Sequence, residues 1–130
     1  MRPEVKAWLE EALWDLENAQ LMYDNQRWSS CVFHAHQAAE KACKALLFSL
    51  GKTPWGHIVS VFFADYLQAT KKNRDELIEC AKDLDRHYIP SRYPFGSMDI
   101  APHKLYTKKI AAEARCCAKQ IVELARQELQ

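Results

Sequence analysis

Glycine and proline are scarce in this chain, at three and five residues of 130. Gly51, Gly56 and Gly96 stand too far apart to build a glycine-rich phosphate cradle, which needs several glycines within one short loop. Charge of one sign is equally lacking. Eighteen lysines and arginines face 17 acidic residues, which excludes the whole-molecule field of a general nucleic-acid or membrane-surface binder and leaves room only for a local anion site. Long apolar runs are missing too: the longest, Ile58 to Ala64, is far too short to span a bilayer. The five cysteines, Cys31, Cys43, Cys80, Cys116 and Cys117, form neither a CxxC pair nor an even secreted framework, so they read as reduced thiols. With no basic, apolar and small-residue leader pattern at the N-terminus, a cytoplasmic location is expected.

What is present is helical periodicity. Apolar residues recur at three and four, and Gly and Pro fall at the borders between these segments. The expected fold is all-α, one domain over residues 1–130, an up-and-down bundle of about five helices. Pro3 opens the first, with Val5, Trp8, Leu9, Ala12, Leu13, Leu16, Ala19 and Tyr23 as its inward stripe. Ser29 or Ser30 is the expected cap of a second, which carries Ala35, Ala38, Ala39, Ala42, Cys43, Leu46 and Leu47 inward and ends at Gly51. A third runs from about His57 to Gln68 with Ile58, Val61, Phe62 and Leu67 as burial candidates, and Asn73 caps a fourth bearing Leu77, Ile78, Ala81 and Leu84. From Ile89 onward Pro90, Pro94, Gly96 and Pro102 predict an irregular loop, before a last helix from near Thr107 with Ile110, Ala114, Cys117, Ile121, Leu124 and Ala125 inward.

The segment Asp85-Arg86-His87-Tyr88-Ile89-Pro90-Ser91-Arg92-Tyr93-Pro94 concentrates chemistry. Arginine offers phosphate a planar fork of donors, tyrosine offers a base a stacking face, and histidine exchanges a proton near neutral pH. Arg86, His87 and Arg92 are therefore candidates for phosphate, with Tyr88 and Tyr93 for base stacking and Asp85 in support. The same residues also fit a structural role, in which the tyrosines pack the loop onto the bundle and Arg92 pairs with Asp85.

On the second helix, Gln37, Glu40, Lys41 and Lys44 form a polar ridge that matters only if the loop reaches it. Lys41 is the ridge's candidate for phosphate, and Gln37 and Glu40 are supporting residues. His34 and His36 lie two apart, which points their rings to nearly opposite sides of a helix, so no metal is expected; nothing points to a cofactor. No Ser-His-Asp or Cys-His arrangement is recognisable.

Trp8, Ala12, Asp15-Leu16 and Ala19, the string CVFHAHQAAEKACKAL from Cys31 to Leu46, Gly56-His57 and LDRHYIPSRYP resemble, in order and over nearly the whole chain, the HEPN family of small helical domains. The resemblance implies a helical bundle, usually dimeric, with a cleft for nucleotide or RNA, and membership of a toxin–antitoxin pair beside a minimal nucleotidyltransferase. Members with ribonuclease activity carry an arginine followed after four to six residues by a histidine near the fourth helix. Here Arg86 and His87 are adjacent, while ten residues separate Arg92 from His103. The expected function is accordingly a nucleotide-binding module. The alternatives are a metal-independent ribonuclease using His87 at a dimer cleft, and a structural dimerisation or docking protein.

Overall fold

The computed structural model describes residues 1–94 and 99–130. These form six helices and no strand: α1 (Pro3–Asp24), α2 (Trp28–Ser49), α3 (Val59–Thr70), α4 (Asp75–Asp85), α5 (Pro102–Leu105) and α6 (Lys108–Leu129). Gly96, expected as a helix breaker, lies outside the described residues. The all-α bundle is as the periodicity predicts, with one element more. Pro102 does not end a helix but begins one, because a proline at N1 loses no bond that the helix needs, and the single turn of α5 follows from it.

The bundle is organised around α2, which packs against all five other helices and most extensively against α1 and α6. Its composition explains this position. Ala35, Ala38, Ala39, Ala42, Cys43 and Ala45 are all fully buried. Short side chains on several sides of one helix let several neighbours approach its backbone at once. The larger residues that close the core, Leu9, Phe63, Leu77, Leu84, Ile121 and Val122, come from the surrounding helices.

The chain reverses by one device used three times. After α1, Arg27 N–H reaches Met22 O and Gln26 N–H reaches Tyr23 O. After α2, Lys52 N–H reaches Leu47 O and Gly51 N–H reaches Phe48 O, and after α3, Lys72 N–H reaches Leu67 O and Lys71 N–H reaches Gln68 O. Each is the paired closure that satisfies the last helical carbonyls through one left-handed residue. That residue is Gly51 after α2, but Gln26 (φ 60°) and Lys71 (φ 55°) elsewhere.

Several local expectations shift. α2 begins at Trp28, so Ser29 and Ser30 lie inside its first turn rather than before it, and the N-cap is Arg27. Arg74, not Asn73, precedes α4, whose first turn gains the acidic Asp75 and Glu76 that favour a helix N-terminus. α6 begins near Thr107 as expected, and the Thr107 hydroxyl caps it by accepting from Ile110 N–H. Phe62 and Leu67 are buried, but Ile58 and Val61 are more than half exposed. Ile58 precedes the first turn of α3 and Val61 falls on its outer side, so neither faces α2. Among the described residues no helix is long and apolar enough to cross a membrane.

Candidate functional site

Beyond α4 the chain does not straighten despite Pro90. His87 N–H donates to Leu84 O, Tyr88 N–H to Asp85 O and Ser91 N–H to His87 O, and the Ile89 carbonyl accepts from both Arg92 and Tyr93. Residues 86–92 thus coil as a succession of turns. In such a coil each residue is rotated about 100° from the last, so Tyr88 and Arg92, four apart, share a side, while His87 and Arg92, five apart, diverge. The chemistry-bearing residues of this segment are divided accordingly.

Asp85 faces α3. Its carboxylate accepts from the amides of Val59 (2.7 Å) and Ser60 (3.1 Å) and from the Ser60 hydroxyl (2.6 Å). It therefore supplies the acceptor that Ile58, the N-cap of α3, cannot. The pairing of Asp85 with Arg92 that a structural role would suggest is not made.

Arg86 and His87 face the cleft between α4 and α6, a pocket of about 160 Å³ lined also by Asp83, Ile110, Glu113 and Cys117. Arg86 is exposed and paired with Asp83 one turn back. His87 Nδ1 lies 2.9 Å from the Tyr106 hydroxyl, and the two rings meet edge to face. Burial, and then the neighbouring Arg86, push the His87 pKa below its usual value, while burial pushes Tyr106 up to about 12. A phenol that stays protonated can donate to Nδ1 of the neutral ring, which is the form these shifts favour.

Arg92 faces α2. Its guanidinium carbon stands 4.9 Å from the ring centre of Phe33, 4.6 Å from that of Tyr88 and 5.1 Å from that of Tyr93. Its Nε donates to the Tyr88 carbonyl at 3.2 Å. Among the described residues it makes no ion pair, so a full positive charge is held in place by ring quadrupoles and one carbonyl rather than by a carboxylate. Beside it opens a pocket of about 360 Å³ whose lining includes Ser29, Ser30, His34, Ser91 and His103.

The polar ridge of α2 is reached by the turn. Tyr88 stacks on His57 (4.8 Å, 16°) and lies 4.9 Å from His36. His57 Nδ1–H donates to Glu40 Oε1 at 3.0 Å, and Glu40 Oε2 takes Lys44 at 3.1 Å. Glu40 is nearly fully buried between these two side chains, and His36 Nδ1 is 3.2 Å from Gln37 Oε1. Burial lowers the His36 pKa more than Gln37 and Glu40 raise it. Lys41 does not join this group. Its Nζ is 2.7 Å from Asp15 Oδ2 on α1. Burial acts against the Asp15 carboxylate, but His34 and Lys41 outweigh it and hold the carboxyl below its usual range. Lys41 is thereby neutralised within an α1–α2 ion pair, which removes the basis for its expected part in phosphate binding.

The five site candidates from Arg86 to Tyr93 and the ridge thus form two separate faces, not one cleft. Phe33, His57, Ser91 and His103 join these faces without being site candidates in the sequence. Phe33 and His57 carried a signal only inside the strings that resemble a family, and the two serines at the start of α2 were read as a cap.

The chain matches the HEPN domain over residues 5–128. It belongs to the HEPN family. It is 30% identical over 128 residues, covering 92% of this chain and 84% of the other, to a protein of Methanocaldococcus jannaschii described as a candidate toxin. Among solved structures, a protein of Thermus thermophilus superposes with a TM-score of 0.90 at 33% identity, covering 97% of this chain and 98% of that one. An archaeal HEPN homologue superposes at 0.81 and 31% identity over the full length of both chains. A HEPN domain protein of Thermotoga maritima follows at 0.76 and 28%, covering 95% of this chain and 97% of that one.

Proposed function

We propose that this HEPN protein is the toxin-type member of a toxin–antitoxin pair and binds a nucleotide or RNA through the Arg92 face of the turn. One observation carries the reading: the Arg92 guanidinium is positioned by Phe33, Tyr88 and Tyr93 without an ion-pair partner among the described residues, at the edge of an open pocket. Arg86, by contrast, has Asp83. An arginine whose charge is unmatched by protein is complementary to phosphate, and Tyr93, 55% exposed, leaves ring surface for a base. Kinship with the candidate toxin supports the class of system. Binding is favoured over cleavage because His87 and Arg92 open on different pockets, so within one chain the acid–base group and the unpaired arginine do not converge.

Titration calorimetry of the native protein with ATP, GTP and short RNAs tests this. Saturable heat is expected with at least one ligand, and silence at millimolar concentration for all of them overturns the reading. Two partners belong to the proposal. A second copy of the chain is one, supported by the exposed Trp55, Ile58 and Val61 around the start of α3; sedimentation showing only monomer at micromolar concentration removes it. A minimal nucleotidyltransferase as the antitoxin is the other, and rests on the family resemblance; failure of the two proteins to co-elute after co-expression removes that part.

A further inference from the structure

The first turn of α2 opens onto the Arg92 pocket with its amides uncapped. Its N-cap is Arg27, whose side chain has no acceptor to offer. The start of a helix this long carries roughly half a positive charge, and Ser29 and Ser30 add hydroxyl donors to it. A second observation is independent of the helix. Ser91 is only 5% exposed and lines the same pocket, yet its hydroxyl has no hydrogen-bond partner among the described residues. A buried hydroxyl without a partner is uncommon, because leaving it so costs stability, and a ligand oxygen would supply the missing bond. His103 of α5 borders the pocket from the far side.

We infer that this pocket is a subsite for a phosphate monoester, the terminal phosphate of a mononucleotide or of an RNA 5′ end. Its donors are the first-turn amides of α2, the Ser29, Ser30 and Ser91 hydroxyls, and the Arg92 guanidinium. A monoester fits better than an internal phosphodiester for two reasons. It presents three unesterified oxygens to donors arriving from both α2 and the turn, and its second negative charge matches a helix start plus an unpaired arginine. This assignment rests on the nucleotide-binding reading above and names the end of the ligand that is held.

The test compares a short RNA bearing a 5′-phosphate with the same RNA bearing a 5′-hydroxyl, and AMP with adenosine, by calorimetry on the native protein. The phosphorylated member of at least one pair should bind about tenfold more tightly. A preference confined to AMP identifies the mononucleotide as the source, and one confined to RNA identifies the strand end. Ser30→Asp should bring that ratio close to one. An aspartate in a first helical turn suits the helix itself, so the loss would come from repelling the ligand and not from unfolding. His103→Ala, at an exposed position, should lower the ratio to a smaller extent, and circular dichroism establishes that both variants are folded. Equal binding of phosphorylated and unphosphorylated ligands by the native protein overturns the subsite while leaving nucleotide binding intact. An unchanged ratio in both variants overturns it as well, and no binding of any ligand overturns both readings together.

Discussion

The first turn of α3 receives a carboxylate, whereas the first turn of α2 receives none, and the same short segment lies against both. Asp85 at one end of that segment is consumed by the Val59 and Ser60 amides. Arg92 at its other end stands beside the serines of α2 with no ion-pair partner among the described residues. Sequence proximity therefore says little about common purpose. The acid of the cluster completes the fold, Arg86 and His87 line the α4–α6 cleft, and Arg92 keeps a charge that no carboxylate among the described residues matches. What separates a structural cluster from a binding one is whether each buried or fixed charge finds its partner inside the chain.

The comparison can be broken most forcefully at Asp85. Asp85→Ala strips three hydrogen bonds from the start of α3 and should lower stability by about 3 kcal/mol in urea unfolding. A loss below about 0.5 kcal/mol would show that this end of the segment is not structural. Next comes a pair: Arg92→Ala should weaken nucleotide binding about tenfold, and Arg86→Ala should leave it nearly unchanged. The opposite ranking in calorimetry would transfer the site to the α4–α6 cleft. Arg86→Ala should also change stability by no more than roughly 0.5 kcal/mol, as its pairing with Asp83 is exposed.

A pH dependence sharpens the contrast further. Burial first lowers the pKa of both His36 and His87; Arg86 and His36 add to this at His87 against Asp83, while Glu40 and Asp85 oppose it at His36. The unfolded chain therefore binds protons that the folded chain refuses. Stability should be full above the ordinary histidine pKa of about 6.5 and should fall as the pH drops below it. His87→Phe and His36→Phe, followed by unfolding between pH 7 and 5, should each remove at most one proton's worth of the slope. A slope unchanged in both would sever it from these rings. A control lies away from the segment: Lys71→Gly places glycine at a left-handed position and should raise stability by about 0.5–1 kcal/mol in thermal unfolding.

Much of the fold was legible because periodicity is a local signal. The stripes of α1, α2, α4 and α6, the start of α6 near Thr107 and the Gly51 terminus all follow from residues within a few positions of one another. The turns at Gln26 and Lys71 were not, since neither side chain advertises a left-handed backbone. The candidate site was legible as a composition but not as an arrangement. The destination of Asp85 lies 25 and 26 residues back in the chain. The division between His87 and Arg92 depends on the coil continuing past Pro90, where proline argued for a break. Ser29, Ser30 and His103 gain meaning only when α2, the turn and α5 meet at one pocket.

The bond from Val59 to Asp85 has a consequence for motion. It joins the first residue of α3 to the last of α4 and so closes a ring of backbone around both helices. Amides at a helix start ordinarily exchange with solvent almost freely, because nothing must unfold to release them. Here the Val59 and Ser60 amides can exchange only when the ring opens. Two positions that would fray in an isolated helix should instead report, in deuterium uptake, the opening of α3 and α4 as one unit.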